Sequence, residues 1–226
     1  MMKKLLSLFS LLIVLTGCSS GNHADESKPA ENNTAKAEQP ARTAETAVPQ
    51  VKEDVYVPNP QITDDRKLLK VGETVSDEKG KITLKAYKKV DETVNVGPIE
   101  MKVTDIKVMH FVPAYSMIDF YHAYTHDEEF DLIKIGVELK NTSKEKIKYT
   151  PIAAIKMNSG EHKTWEDDTY LEELIGEIEP GDVKKGNMGF ILSKTPEAQS
   201  VEVLTSDAVD LDHNVLEQGK HLNIEF

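Results

Sequence analysis

Apolar and polar residues alternate with a period of two through most of the chain after residue 65. The clearest run covers residues 130–141, in which every second side chain is apolar. A strand with this pattern buries one face in a core and leaves the other face in solvent. We therefore predict a half-buried strand over 130–141, with Val137 in the core and Lys134 and Glu138 in solvent.

Other alternating runs predict further strands in the same region. They begin at Ile82 and Ile99 and cover residues 147–157, 185–192, 200–205 and 221–226. The run from Ile99 changes phase at Thr104 and Asp105, as happens where a bulge places one extra residue in a strand. Turn-forming residues, such as Asn141-Thr142-Ser143 and Pro180-Gly181, separate the runs. Short strands between turns predict an all-β domain, an antiparallel β-sandwich.

One segment of this region has a helical signal. Thr169 and Glu172 have the spacing of a capping box, in which each side chain bonds the backbone of the other residue at the start of a helix. We therefore predict a short helix over residues 168–175 within a loop.

The N-terminus has a different pattern, with Lys3 and Lys4 followed by an apolar run from Leu5 to Leu15. This run is shorter than the roughly 20 residues of a membrane-spanning helix and has the length of a cleaved signal. Together with the sequence Leu15-Thr16-Gly17-Cys18, it resembles the signal peptide and lipobox of a bacterial lipoprotein. The resemblance implies that residues 1–17 are removed and that Cys18 is lipidated, which anchors the chain to the extracytoplasmic face of a cell membrane.

The segment after Cys18 lacks the residues that build a core. No Leu, Ile, Val, Met, Phe, Tyr or Trp occurs from Ser19 to Ala47. Such a segment buries too little apolar surface to offset the entropy lost on ordering. We therefore interpret residues 18–65 as a disordered tether and residues 66–226 as one folded domain. The alternative for the end of the tether is that Val55, Tyr56 and Val57 dock on the domain.

Charge and cysteine content exclude several classes of function. The chain has 39 acidic and 27 basic residues and a formal net charge of −12, which disfavours nucleic acid and anionic lipid headgroups as partners. Cys18 is the only cysteine, so an internal disulfide, thiol catalysis and cysteine-based zinc sites are excluded.

Several short motifs in the domain together resemble a known family. In order they are Val71-Gly72-Glu73-Thr74, Gly80–Leu84, Glu138–Ser143, Asn158-Ser159-Gly160, Glu179-Pro180-Gly181 and Gly186–Phe190. This order is similar to that of the DUF4352 family, immunoglobulin-like domains of bacterial lipoproteins and secreted proteins, which are related in fold to the telokin-like immunoprotective antigens of mycobacteria. The resemblance covers about residues 70–205. It implies an immunoglobulin-like antiparallel β-sandwich and no shared catalytic residues.

The chain departs from this family pattern between Val108 and Phe130, where a longer segment carries histidines and aromatic residues. If residues 116–129 are helical, His122 and His126 lie on one face with Asp119 one turn earlier. Two imidazoles and a carboxylate suit zinc, nickel or copper. The alternative is that the aromatic residues pack this insertion onto the sandwich while the histidines are solvated.

No catalytic motif is present in the sequence: there is no nucleophile elbow, phosphate-binding loop, dinucleotide fingerprint or zinc-protease motif. We therefore predict a protein without enzymatic activity or cofactor, whose sandwich binds or supports another protein of the cell envelope. A solute- or metal-binding lipoprotein that uses the insertion is the alternative, and a cell-envelope hydrolase is a third.

Overall fold

The computed structural model describes residues 56–193 and 198–226, and strands dominate the regular structure in these ranges. The strands are β1 (Thr74–Asp77), β2 (Gly80–Val96), β3 (Ile99–Pro113), β4 (Phe130–Asn141), β5 (Ile147–Tyr149), β6 (Ala154–Met157), β7 (His162–Thr164), β8 (Gly176–Ile178), β9 (Val183–Leu192), β10 (Ser200–Leu204), β11 (Ala208–Val209), β12 (Val215–Glu217) and β13 (His221–Glu225). One short helix, α1 (Ile118–Tyr121), and two 3-10 turns, Tyr115–Met117 and Trp165–Asp167, interrupt them. The all-β prediction is confirmed.

The strands form three antiparallel sheets. The large sheet has the order β1-β2-β3-β4-β9, and the two smaller sheets have the orders β13-β10-β6-β7 and β12-β11-β5-β8. The main core contains side chains of the large sheet and of both smaller sheets, among them Val137, Phe190, Tyr149 and Val203. This arrangement is an immunoglobulin-like antiparallel sandwich, as the sequence predicted.

The predicted bulge in β3 is confirmed. Pairing between β3 and β4 shifts register between Val103 and Asp105, so that Val103 lies opposite Val137 and Asp105 lies opposite Gly136. The shift keeps apolar side chains on the core face on both sides of the bulge, since Val103 and Ile106 are both fully buried.

Two predicted elements are wrong. Residues 147–157 form β5 and β6 in different sheets, and Pro151 between them has no amide hydrogen to continue a ladder. The segment 168–175 is not helical. Its two expected capping residues bond to β9 instead: Thr169 Oγ1 donates to the Gly189 carbonyl at 3.1 Å, and Glu172 Oε2 accepts from the Asn187 amide at 2.7 Å.

The predicted one-sided burial of β4 is also wrong at Lys134, which is only 5% exposed. A second apolar cluster covers part of the outer face of the large sheet. It comprises Ile82, Leu84, Met109, Phe111, Phe130, Leu132 and Ile191 of the sheet, with Ile62, Leu68, Tyr121 and Tyr170 among the residues packed on them. The large sheet is therefore buried on both faces along part of its length, which an alternating pattern alone does not reveal.

The predicted domain boundary at residue 66 is wrong, because residues 56–68 pack on the sandwich. We call this segment the strap. Ile62 and Leu68 are each 3% exposed, and Asp65 is 6% exposed. The signal peptide, Cys18 and the tether up to residue 55 lie outside the described residues. Within the described ranges no helix is long and apolar enough to span a membrane.

Candidate functional site

The insertion between β3 and β4 is packed onto the sandwich by its aromatic residues. Tyr121 is buried, and its ring centre lies 5.4 Å from that of Phe111 and 5.0 Å from that of Phe130. The Tyr121 hydroxyl donates to the carbonyl of Gln61 in the strap at 2.9 Å. Burial raises the pKa of Tyr121 well above its ordinary value. Tyr121 thus packs the insertion onto the domain, and α1 is much shorter than a helix over 116–129.

The structure brings together only part of the proposed metal site. His122, His126 and Asp119 are all exposed, and the ring centres of the two histidines are 6.2 Å apart. In the residues that the structure describes, no three His, Cys, Asp or Glu side chains are grouped so that they could hold a metal ion. Asp119 therefore does not complete a three-ligand site with the two imidazoles.

Sequence analysis did not find the buried ionic cluster that holds the strap. Asp65 Oδ2 lies 2.8 Å from Lys107 Nζ and 2.7 Å from Lys134 Nζ, and all three side chains are less than 10% exposed. Lys107 Nζ also donates to the Asp65 backbone carbonyl at 2.6 Å. Burial alone would raise the pKa of Asp65, but the two lysine charges and their hydrogen bonds hold it below its ordinary value. One carboxylate thus fixes the strap to β3 and β4.

A second cluster of charges joins β2, β3 and β4 nearer one end of the large sheet. The buried Asp131 carboxylate accepts from Lys85 Nζ at 2.6 Å and lies 2.8 Å from His110 Nδ1. His110 Nε2 is 3.7 Å from Glu129 Oε2. The acidic and basic groups of this cluster therefore pair with one another, and we assign the cluster a structural role.

A wide open concavity lies between the strap and the loop before β8. We call it the strap groove. Its volume is about 830 Å³, and it is lined by residues 56–61, 170–173 and 185–186. Three apolar side chains on its walls are exposed: Val57 by 78%, Leu171 by 55% and Tyr56 by 43%. The volume is in the range of small-ligand sites, and the groove carries both apolar and polar groups.

Leu171 has a backbone conformation that is unfavourable for its residue type. Its φ is +54°, in the left-handed region, where a leucine costs about 1–2 kcal/mol because Cβ approaches the backbone. The side chain is more than half exposed, so packing compensates little of this cost. Folding alone therefore gives no reason for a leucine at this position.

The backbone around Leu171 is held in place by Asp168. The Asp168 carboxylate accepts hydrogen bonds from the amides of Gly189 at 2.8 Å, Tyr170 at 3.1 Å and Leu171 at 3.2 Å. Burial raises the pKa of Asp168, against the effect of these hydrogen bonds. A Cβ at Gly189 would overlap the Tyr170 ring, which explains the glycine at this position of the Gly186–Phe190 motif.

Two buried polar atoms of groove-lining residues have no hydrogen-bond partner in the described part of the chain. They are Tyr170 Oη and Gln61 Oε1. Burial raises the pKa of Tyr170 well above its ordinary value, so its hydroxyl is protonated and can donate. A buried polar group without a partner costs about 1–3 kcal/mol, so a hydrogen-bond partner for either atom would be favourable.

The strap groove was missed from the sequence because the strap was assigned to the tether. Tyr56 and Val57 were the available signal, as apolar residues that interrupt the polar segment just before Pro58 and Pro60. The Tyr56 ring stacks on the guanidinium of Arg66, which is also in the strap, at 3.2 Å, and Asn59 Nδ2 links this segment to the sandwich by donating to the Tyr170 carbonyl at 2.9 Å.

Comparison with known proteins agrees with both sequence resemblances. Residues 69–210 match a domain of unknown function, DUF4352, and residues 2–19 match the prokaryotic membrane lipoprotein lipid attachment site. The uncharacterized protein YdhF of Bacillus subtilis (strain 168) is 41% identical over 240 residues, which cover 100% of each chain.

Two solved structures are similar at lower identity. One is a functionally unknown protein from Listeria monocytogenes EGD-e, with a TM-score of 0.46 and 13% identity over 64% of this chain and 86% of that one. The other is a conserved hypothetical protein from Bacillus anthracis, with a TM-score of 0.35 and 16% identity over 64% of this chain and 100% of that one. From the family match over most of the sandwich and the lipid attachment site at the N-terminus, the chain belongs to the DUF4352 family and is a bacterial lipoprotein anchored to the membrane by lipid.

Proposed function

We propose that this lipoprotein acts on the extracytoplasmic face of the membrane as a binding domain without catalytic activity, and that the strap groove receives a peptide segment of another envelope protein. The observation that carries the proposal is Leu171, an exposed apolar side chain held at an unfavourable φ on the wall of the groove. Backbone strain of this kind is often retained where a side chain contacts a ligand.

The chemistry of the groove supports a peptide as the occupant. Val57 and Leu171 offer exposed apolar contacts, and Tyr170 Oη and Gln61 Oε1 supply an unpaired donor and acceptor. A peptide presents the matching combination of apolar side chains with backbone carbonyl and amide groups. Both atoms are buried, so a peptide contacts them only if the strap moves.

The perturbed acids of the domain support a role without catalysis. Asp65 pairs with two buried lysines, and Asp168 accepts hydrogen bonds from three backbone amides. Asp64, whose pKa is lowered to about 2 chiefly by its hydrogen bond from Arg66, belongs to the strap's own contacts. Each of these shifts has a structural cause, whereas a catalytic acid or base is tuned toward the reaction that it serves.

The anchor is tested at Cys18. We expect Cys18→Ala to abolish incorporation of labelled fatty acid and to leave the protein as an unprocessed precursor or release it into the medium, because the thioether-forming side chain is gone. Metabolic labelling and membrane fractionation measure this. A wild-type protein that takes up no fatty acid, together with a variant retained on the membrane to the same extent, would contradict the assignment. Protease digestion of intact cells tests which face of the membrane carries the domain.

The groove is tested at Leu171. We expect Leu171→Asn to leave the free energy of unfolding unchanged or raise it by up to about 1 kcal/mol, because asparagine tolerates positive φ better than leucine does. In the same variant, a photoreactive benzoylphenylalanine placed at Val57 in intact cells should lose the covalent adduct that it forms in the otherwise wild-type chain. Denaturant unfolding and adduct formation on gels are the two measurements.

Leu211→Asn is the matched control, since Leu211 is also about half exposed but lies outside the groove and has no positive φ. It should leave the adduct at Val57 intact. The proposal fails if Val57 gives no adduct in wild-type cells, or if the adduct persists in Leu171→Asn. Equal loss in both leucine variants would also contradict it.

A further inference from the structure

The histidine pair of the insertion differs from three other histidines of the domain. Those three each have a side-chain partner: His110 lies against Asp131, His213 against Lys148 and His221 against Glu202. In the described ranges, the rings of His122 and His126 make no hydrogen bond or ion pair with another side chain and instead face each other at 6.2 Å, with an angle of 61° between their planes. Their ring nitrogens are therefore available to an added ligand.

The backbone that carries the pair is ordered by its own contacts. The His122 amide donates to the Ile118 carbonyl and the Thr125 amide to the Tyr121 carbonyl, both at 2.9 Å. Tyr121, directly before His122, is buried among aromatic rings, and Tyr124 lies between the two histidines with its ring 5.6 Å from that of Phe120. A ligand that bridges the two imidazoles would thus order few additional torsions, which lowers the entropic cost of binding.

The ring separation fits coordination of one ion by both imidazoles. With metal–nitrogen bonds of about 2.0–2.1 Å, two imidazoles on one ion have ring centres about 4.5 Å apart at a right angle, about 5 Å apart at a tetrahedral angle and about 6.3 Å apart when the two bonds are in line. The observed 6.2 Å corresponds to a nearly trans pair, and rotation of the two exposed side chains brings the rings to the smaller separations. Imidazole nitrogen is a preferred ligand of copper, nickel and zinc, and Cu²⁺ binds a given nitrogen site most tightly among the first-row divalent ions.

We propose that His122 and His126 form a two-imidazole site on the insertion for a late first-row divalent ion, with Cu²⁺ as the tightest ligand. Asp119 is not a ligand in this site, in agreement with the absence of a three-residue group among the described side chains. The remaining coordination positions are open to water or to a donor from a bound molecule. The site is separate from the strap groove and does not depend on the function proposed for it.

The site is tested by titrating CuCl₂, NiCl₂ and ZnCl₂ into the full-length lipoprotein, purified in detergent and treated with a chelator, by isothermal calorimetry at neutral pH. We expect one Cu²⁺ per chain, bound more tightly than Ni²⁺ or Zn²⁺, and a loss of affinity of about tenfold or more in both His122→Ala and His126→Ala. The electron paramagnetic resonance spectrum of bound Cu²⁺ should show coupling to two imidazole nitrogens in the wild type and to one in each variant.

Three variants serve as controls. Asp119→Ala tests the excluded carboxylate, His162→Ala removes an exposed histidine of β7, and His23→Ala removes the histidine that lies outside the described residues. All three should bind Cu²⁺ as the wild type does, and every variant should retain the wild-type melting temperature because the substituted side chains are on the surface or outside the domain. Absence of stoichiometric Cu²⁺ binding, or equal affinity in the wild type and both histidine variants, would overturn the proposal.

Discussion

Replacing Asp65 with asparagine is expected to lower the free energy of unfolding by about 3–5 kcal/mol, because it leaves the buried Lys107 ammonium without its carboxylate partner and Lys134 with the longer contact to Asp105 at 3.5 Å. The affected groups are Lys107 and Lys134, which are 2% and 5% exposed. For a domain of this size, the loss corresponds to a fall in melting temperature of about 10–15 °C. Thermal unfolding of the variant and of the wild type measures it directly.

Asp64 provides the matched control one residue away. Its carboxylate pairs with Arg66 at 2.8 Å, but that pair is solvent-exposed, and exposed ion pairs contribute about 1 kcal/mol or less. Asp64→Asn should therefore have a much smaller effect than Asp65→Asn. Similar losses in the two variants would show that the burial of the Asp65 cluster does not determine its stability.

The Asp65 cluster also predicts the direction of the pH dependence. Since the pKa of Asp65 is lower in the folded chain than its ordinary value of 3.8, its contribution is fully present above that ordinary value and is lost as pH falls toward the folded-state value. We expect the stability of the wild type to decline more steeply than that of Asp65→Asn below about pH 4. If the free energy of unfolding fell equally steeply with pH in the two proteins, the lowered pKa assigned to Asp65 would be wrong.

Val137→Asp is expected to lower the free energy of unfolding by about 4 kcal/mol or more and to leave little folded protein. Val137 is 1% exposed at the centre of β4, opposite Val103 of β3 and Gly186 of β9. A carboxylate at this position would face the main core, whose described members are apolar side chains. Circular dichroism and denaturant unfolding distinguish an unfolded variant from a destabilised one.

Glu138→Gln, on the opposite face of the same strand, is the control. The Glu138 side chain is 41% exposed and lies 3.8 Å from Lys185, so the change should cost less than about 1 kcal/mol. Equal effects of the two substitutions would mean that the core and solvent faces of β4 have been confused.

Strand bounds and bulges were predictable from the sequence, because they depend on the alternation of apolar and polar residues within a single strand. The alternation in β4 and the phase change in β3 predict the strand bounds and the bulge, because each depends on which face a side chain occupies within the same strand. The same reasoning wrongly places Lys134 in solvent. It occupies a polar position of the pattern, and its burial depends on Asp65, which is distant in sequence and brought near by the tertiary fold.

The candidate sites depend on contacts of the same long-range kind. Leu171 and Tyr170 read as ordinary loop residues, since neither a positive φ nor an unpaired hydroxyl has a sequence signature at a leucine or a tyrosine. The capping-box spacing of Thr169 and Glu172 was misleading because β9 supplies competing partners for both side chains. The rings of His122 and His126 do lie 6.2 Å apart, although the helix over 116–129 that the four-residue spacing assumed covers only Ile118–Tyr121.

The order of contacts along the strap determines how the domain responds to a pull on its anchor. Chain connectivity applies tension from Cys18 to the start of the strap, so Asn59, which bonds the Tyr170 carbonyl at 2.9 Å and Glu172 at 3.0 Å, is loaded before Asp65. These two exchangeable hydrogen bonds hold one wall of the groove, whereas Asp65 holds the strap through a buried double ion pair. The hydrogen bonds of Asn59 are both weaker and nearer the anchor, so they break before the ion pairs of Asp65. Segments of low local stability can open in this way without global unfolding. A pulling force on the tether would therefore open the groove wall at Asn59 before it reaches the Asp65 cluster, while the sandwich stays folded.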